Sequence, residues 1–254
     1  GDYRIMNVAN PNSAMLIGAQ DMWGYEATVV RRYAEFMTWS QGGDPDQTMS
    51  YVKFVRYDPL FAMLRLRYVL GQRGNQLEIG DAAEAPMSHL QLVSSYRVLP
   101  DRNAIFDALR STTFDPAREV ILESEPEPKP SPSESVGTAR IVAGSTDAVE
   151  IEADVEQACI LLITDAFTPS WRAVALPGSV QTNYKLLPAN YILRAGIHAW
   201  CAYNWEVDFN YRCPRVSRSP RPVRAYLIAA IDRARSIRGA ARRRGIRSKS
   251  LVPR

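Results

Sequence analysis

The sequence predicts an α+β domain followed by an all-β sandwich, closed by a basic C-terminal tail that is partly helical or disordered. Three observations carry this. Up to residue 122, apolar residues at helical spacing mix with short alternating runs, without a strict strand–helix–strand repeat. Residues 123–136 carry prolines at 126, 128, 130 and 132 among charged residues and serines, which favours an extended, solvated linker. From 137 to 211 only short strand-like runs occur, separated by turn signals.

In the first domain, 1–122, Tyr3-Arg4-Ile5-Met6-Asn7-Val8 reads as a strand and Asn10-Pro11-Asn12 as a turn. Residues 18–24 read as a loop with a buried Trp23. Over 26–39, Val29, Val30, Tyr33, Phe36 and Met37 fall on one helical face, and Gly42-Gly43-Asp44-Pro45-Asp46 stops the helix. Asp58-Pro59 opens a short helix that buries Leu60, Phe61, Met63 and Leu64. Residues 66–70 and 89–99 read as strands. Residues 101–111 read as a helix capped by Asp101 that buries Ile105, Phe106 and Leu109, and 119–122 as a returning strand.

In the sandwich, strands are predicted over 138–142, 149–153, 159–164, 171–174, 180–183, 191–193 and 205–211, the last with strict two-residue alternation. Residues 158–194 are its centre, with Trp171 at a corner. The tail, 212–254, holds 14 of the 31 basic residues and a single acid, Asp232, for a net +13, while the rest of the chain sums to −9. The basic pI therefore describes the tail alone. A helix over 223–237 would put Tyr226, Leu227, Ile231 and Ala234 on one face. Such a segment lies on an anionic membrane, binds nucleic acid, or merely keeps the chain soluble.

Several classes are excluded. No run of 18 apolar residues marks a membrane span, and no basic-then-apolar leader is present. The opening Gly1-Asp2-Tyr3-Arg4 reads as the interior of a longer protein. Cys159, Cys201 and Cys213 have no zinc spacing, and their odd number argues against a disulfide framework. Cys159 reads as a small core residue, and Cys201 with Cys213 allows one disulfide. Phosphate-loop, dinucleotide, zincin and nucleophile-elbow motifs are missing. No metal, cofactor or catalytic residue is assigned. With only His89 and His198, a histidine-based site has little support. His89 reads as an ordinary polar side chain at a strand start.

The candidate ligand-binding residues are Arg31, Arg32, Asp165, Trp171 and Tyr191. The Arg31-Arg32 pair offers forked donors that match phosphate geometry, against the plainer reading of a solvated helix face. Asp165 ends an apolar strand, either as a buried functional acid or as a turn cap before Pro169. Trp171 and Tyr191, with Tyr184, offer a stacking platform for sugars, against sandwich core packing. Helix or loop capping accounts for Asp21, Glu26 and Asp58.

An ordered set of motifs runs along residues 1–195. It begins with Tyr3-Arg4-Ile5, Asn10-Pro11-Asn12-Ser13-Ala14-Met15 and Gly24-Tyr25-Glu26, followed by Arg31-Arg32-Tyr33-Ala34-Glu35-Phe36. It continues with Leu64-Arg65-Leu66-Arg67-Tyr68-Val69-Leu70, Phe114-Asp115-Pro116-Ala117-Arg118-Glu119-Val120 and Gly137-Thr138-Ala139-Arg140. It closes with Asp165-Ala166-Phe167-Thr168-Pro169-Ser170-Trp171-Arg172-Ala173 and Pro188-Ala189-Asn190-Tyr191-Ile192-Leu193-Arg194-Ala195. In this order the motifs resemble the bacterial YfhO-like family of polytopic membrane proteins. The resemblance stops there, which implies a changed reading frame or a divergent terminus beyond.

The resemblance implies an extracytoplasmic domain on a bacterial cell membrane, attached to membrane helices that lie outside this chain. The family looks like transferases that use polyprenyl-phosphate sugars to build surface polymers, and their catalytic loop has no counterpart here. The expectation is an accessory domain, non-catalytic by itself. Its implied partners are the membrane-embedded part of the same architecture and a lipid-linked sugar or surface polymer. The alternative is a nucleic-acid or anionic-membrane binder acting through residues 212–254.

Overall fold

The computed structural model describes residues 2–24, 29–49, 52–133, 136–145, 148–155, 157–173 and 185–198. The expected strands at 180–183 and 205–211, Glu26, Tyr184, Cys201, Cys213 and the whole basic tail lie outside the described residues.

In chain order the strands are β1 (Arg4–Asn7), β2 (Leu66–Arg73), β3 (Gln76–Asp81), β4 (Leu90–Val93), β5 (Ser95–Val98) and β6 (Glu119–Leu122). They continue as β7 (Thr138–Gly144), β8 (Val149–Asp154), β9 (Cys159–Ala166), β10 (Lys185–Ala189) and β11 (Leu193–His198). The α-helices are α1 (Arg31–Ser40) and α2 (Arg102–Leu109), and short 3₁₀ turns stand at Ser13–Ile17, Pro45–Gln47 and Pro59–Leu64. The fold is mixed and strand-rich. Among the described residues no helix is long and apolar enough to cross a membrane.

Local chemistry explains the helix boundaries. The Asp58 carboxylate accepts the Leu60 N–H and opens the 3₁₀ turn Pro59–Leu64. Asp101 accepts from Asn103 and Ala104 and opens α2. Both side chains satisfy backbone donors that the first turn leaves unpaired. Gly42 adopts φ 85° just past the end of α1, a conformation that favours glycine. The expected helices are therefore present, in trimmed form, where α1 and α2 stand. The expected strand over 89–99 is broken at Ser94 into β4 and β5.

The expected division into two domains is corrected by the sheet topology. One six-stranded sheet runs β4-β9-β11-β10-β6-β5, so strands from before and after residues 123–136 share one hydrogen-bonded layer. The described strands of 137–198 do not make a sandwich of their own. Only β7 and β8 pair apart, as a hairpin. The proline-rich stretch is not a solvated spacer either. Pro126 and Pro130 are buried, and the Ser131 N–H donates to the Ala158 carbonyl at 3.0 Å.

The run Cys159–Ala166 is almost continuously buried because both faces of β9 are covered. Ile160 and Leu162 join the main core with Phe36, Ile105, Phe106 and Leu122. Leu161 and Ile163 face the β8 residue Ile151 and Leu90. Helices thus cover one side of this sheet and the β7–β8 hairpin the other. A second sheet, β1-β2-β3, has β1 parallel and β3 antiparallel to β2.

Candidate functional site

The two larger sheets meet where β9 ends. The Arg4 N–H donates to the Arg65 carbonyl at 2.8 Å, which places the start of β1 beside the start of β2. The Thr164 N–H donates to the His89 carbonyl at 3.0 Å, which sets His89 next to Asp165. The topology therefore gathers three side chains from three separate stretches onto the Asp165 carboxylate.

Asp165 Oδ1 accepts from Arg4 Nη2 at 2.6 Å and Arg65 Nη2 at 2.8 Å, while Oδ2 faces His89 Nε2 at 2.9 Å. The other His89 nitrogen, Nδ1, stands 2.9 Å from Asp2 Oδ1. Arg65 Nη1 also pairs with Asp2 Oδ1. Both nitrogens of His89 thus stand within hydrogen-bond distance of a carboxylate oxygen. Arg4 Nη1 reaches the Thr164 carbonyl at 3.4 Å.

Arg65 is the unusual member. Its side chain is 2% exposed and its backbone is left-handed, φ 63°, where it ends the 3₁₀ turn. Burial, and then the neighbouring Arg4 charge, push its pKa down, while Asp165 and Asp2 pull it back up. A charge this deep is tolerated only when paired. Its Nε has no acceptor and is shut off from solvent.

These residues line a cleft of about 830 Å³. Its other walls include Gln20, Asp21, Met22 and Tyr33, the hairpin residues Ile141, Gly144, Ser145 and Val149, and Thr168 and Trp171. The Tyr33 hydroxyl donates to the Met22 carbonyl at 2.6 Å, and burial pushes its pKa up to about 12. Burial also raises the Asp21 carboxyl. The cleft thus combines fixed polar groups, apolar hairpin side chains and one half-exposed indole.

Of the five predicted ligand residues, Asp165 and Trp171 come together here and the other three do not. Arg31 is exposed and pairs with Glu35 at 2.7 Å along the helix. Arg32 lies with its guanidinium carbon 4.1 Å from the centre of the Tyr191 ring, donates to the Tyr191 carbonyl at 2.9 Å, and pairs with Glu123. Tyr191 is buried against Phe106 and donates its hydroxyl to Glu35. Its burial, with the Glu35 hydrogen bond next, raises its pKa to about 12. Arg31 and Arg32 therefore form no joint phosphate fork. Tyr191 fills the core instead of lining the cleft.

Two readings of single residues are corrected. Asp165, expected as a turn cap before Pro169, has its carboxylate held by arginines and a histidine distant in sequence. His89 is not an ordinary polar side chain, because it bridges two carboxylates. Sequence reasoning missed Asp2, Arg4 and Arg65. The signal was there for Arg65, a charge set inside Leu60-Phe61-Ala62-Met63-Leu64-Arg65-Leu66.

Cys159 is a buried core residue, as expected, and burial pushes its thiol up to about 11. Among the described residues no group of three or more His, Cys, Asp or Glu side chains is placed to hold a metal ion. Comparison with family models, with curated proteins and with solved structures finds no match to this chain.

Proposed function

We propose that this protein is an extracytoplasmic accessory domain of a bacterial membrane protein resembling the polyprenyl-phosphate-sugar transferases of cell-surface polymers, and that its cleft holds a saccharide unit of acceptor or lipid-linked donor. The observation that carries the reading is the constellation of Asp165, Arg4, Arg65 and His89 beside Trp171 in one cleft. Planar polar groups held in place hydrogen-bond sugar hydroxyls with little ordering cost, and an indole suits the apolar face of a sugar ring. The ordered motifs of residues 1–195 add the membrane-protein context. Binding without catalysis fits the commitment of Asp165 and His89 to arginine and carboxylate partners.

Calorimetry against bacterial surface polysaccharides and a short polyprenyl-phosphate sugar tests the reading. Saturable binding is expected, weakened about tenfold by Trp171→Ala. Arg31→Ala should leave it unchanged, because Arg31 pairs along α1 and does not line the cleft. A wild-type chain that binds none of these ligands sinks the proposal.

The net +13 of residues 212–254 favours one second reading, binding to an anionic membrane or nucleic acid. That reading requires affinity that falls steeply with salt and disappears when the chain is cut after Tyr211.

A further inference from the structure

The two carboxylates that Arg65 and His89 bridge are not equivalent. Asp165 belongs to β9 and is buried. Asp2 precedes β1, and its side chain is 60% exposed, against 2% for Arg65 and 13% for His89. Arg65 and His89 converge on a single Asp2 oxygen, Oδ1. Their opposite ends are fixed on Asp165 at 2.8 and 2.9 Å. Arg65 is held further by its left-handed backbone and by its N–H bond to the Ala62 carbonyl at 3.0 Å. The two donors therefore keep their aim whether or not Asp2 is present. Asp2 needs only a change in an exposed segment to leave.

We propose that Arg65 and His89 form a carboxylate-binding subsite of the cleft, which Asp2 fills from within the chain and the carboxylate of an acidic sugar fills in its place. The inference rests on the cleft being a saccharide site and names the class of saccharide, a uronic acid. A carboxylate matches what the subsite already holds, and a guanidinium edge beside an imidazole donor suits its planar oxygens. With the acid group on Arg65 and His89, the rest of the sugar lies within the same cleft as Gln20, Asp21 and Trp171. Asp2 then acts as an internal competitor. It keeps a buried arginine paired while the cleft is empty, and it lowers the apparent affinity by the fraction of time it occupies the subsite.

The test compares the wild-type chain with Asp2→Ala, using D-glucuronate, D-glucose and acetate as probes, by calorimetry and by thermal melting. Asp2→Ala is expected to bind glucuronate about tenfold more tightly than wild type. Its lowered melting temperature is expected to recover saturably with acetate, because a ligand that binds only the folded state stabilises it. Glucose should bind both chains alike. Adding His89→Gln to Asp2→Ala should remove the gain. Equal affinities of the two chains for glucuronate and acetate overturn the subsite, and so does a gain for glucose as large as that for glucuronate. If wild type binds a surface glycan but Asp2→Ala gains nothing, the subsite alone falls. If neither chain binds any of the probes and wild type binds no surface glycan, the cleft reading falls with it.

Discussion

Two polar networks of nearly the same composition stand among the described residues, and one of them borders a cleft. Under α1, Glu35 accepts the Tyr191 hydroxyl and pairs with Arg31, while Arg32 lies over the Tyr191 ring. At the end of β9, Asp165 accepts from Arg4 and Arg65 and faces His89. Both put arginines and a carboxylate beside a ring. The first surrounds a tyrosine packed on Phe106 and belongs to the core. The second borders a cleft of about 830 Å³. Residue type does not separate a binding site from a structural one. What separates them is whether the polar groups close on one another or on a volume that a ligand can fill.

Removing the centre of each network measures the difference. Asp165→Ala carries the largest expected effect, because it strips one partner from a buried arginine. A loss of about 3–5 kcal/mol in chemical denaturation is expected, together with loss of glycan binding. A cost below about 1 kcal/mol would mean that Arg65 is satisfied by Asp2 and water alone. Tyr191→Phe comes next. It deletes the hydroxyl that meets Glu35, and about 1–2 kcal/mol of stability should go with it. Glycan affinity should stay unchanged. If Tyr191→Phe weakened binding as much as Asp165→Ala does, the two networks would be one functional unit and the contrast would collapse.

Trp171→Ala inverts the pattern. Its expected loss is about tenfold in affinity, or about 1.4 kcal/mol, with a stability change below about 1 kcal/mol. Calorimetry and melting on the same preparation separate the two quantities. A large stability loss without an affinity change would return Trp171 to the role of a packing residue.

The contrast also explains what was legible in the sequence. The Asp58 and Asp101 caps were readable because each carboxylate bonds a backbone N–H two or three residues ahead. The buried faces of α2 and the trimmed α1 follow from spacing within one helix. The Asp165 network was not readable, since its partners stand 161, 100 and 76 positions away. No local rule pairs such residues. The one cue was negative: an acid continuing a fully buried strand, and an arginine inside an apolar run, each require a partner.

Strand β3 was missed for a different reason. All six of its residues are exposed, so burial imposes no pattern on it, although Leu77 and Ile79 alternate and Gly74 bends the chain with φ 59°. The proline-rich stretch misled because composition reports how a free chain behaves. Here the body of the protein buries Pro126 and Pro130 and joins its strands across them.

The smallest expected effect concerns the third carboxylate of the cleft. Asp21 Oδ2 accepts the Ala14 N–H at 3.1 Å, while Oδ1 is shut off from solvent without a partner. Burial raises its pKa above the ordinary 3.8, more than its two backbone hydrogen bonds lower it. A carboxyl whose folded pKa is raised is one whose ionised form the fold disfavours. The resulting destabilisation is present above the ordinary carboxylate range and fades as pH falls through the folded value. Asp21→Asn keeps an acceptor for Ala14 and removes the charge. Because Asp21 is only partly buried, solvent screening limits the gain at pH 7 to a few tenths of a kcal/mol. The gain should shrink toward zero in melting curves taken near pH 3, where both side chains are neutral. If Asp21→Asn instead melts lower than wild type at pH 7, the charged hydrogen bond to Ala14 outweighs the cost of burial. Asp21 would then belong with Asp165 among the carboxylates that donors of the fold hold in place at the cleft.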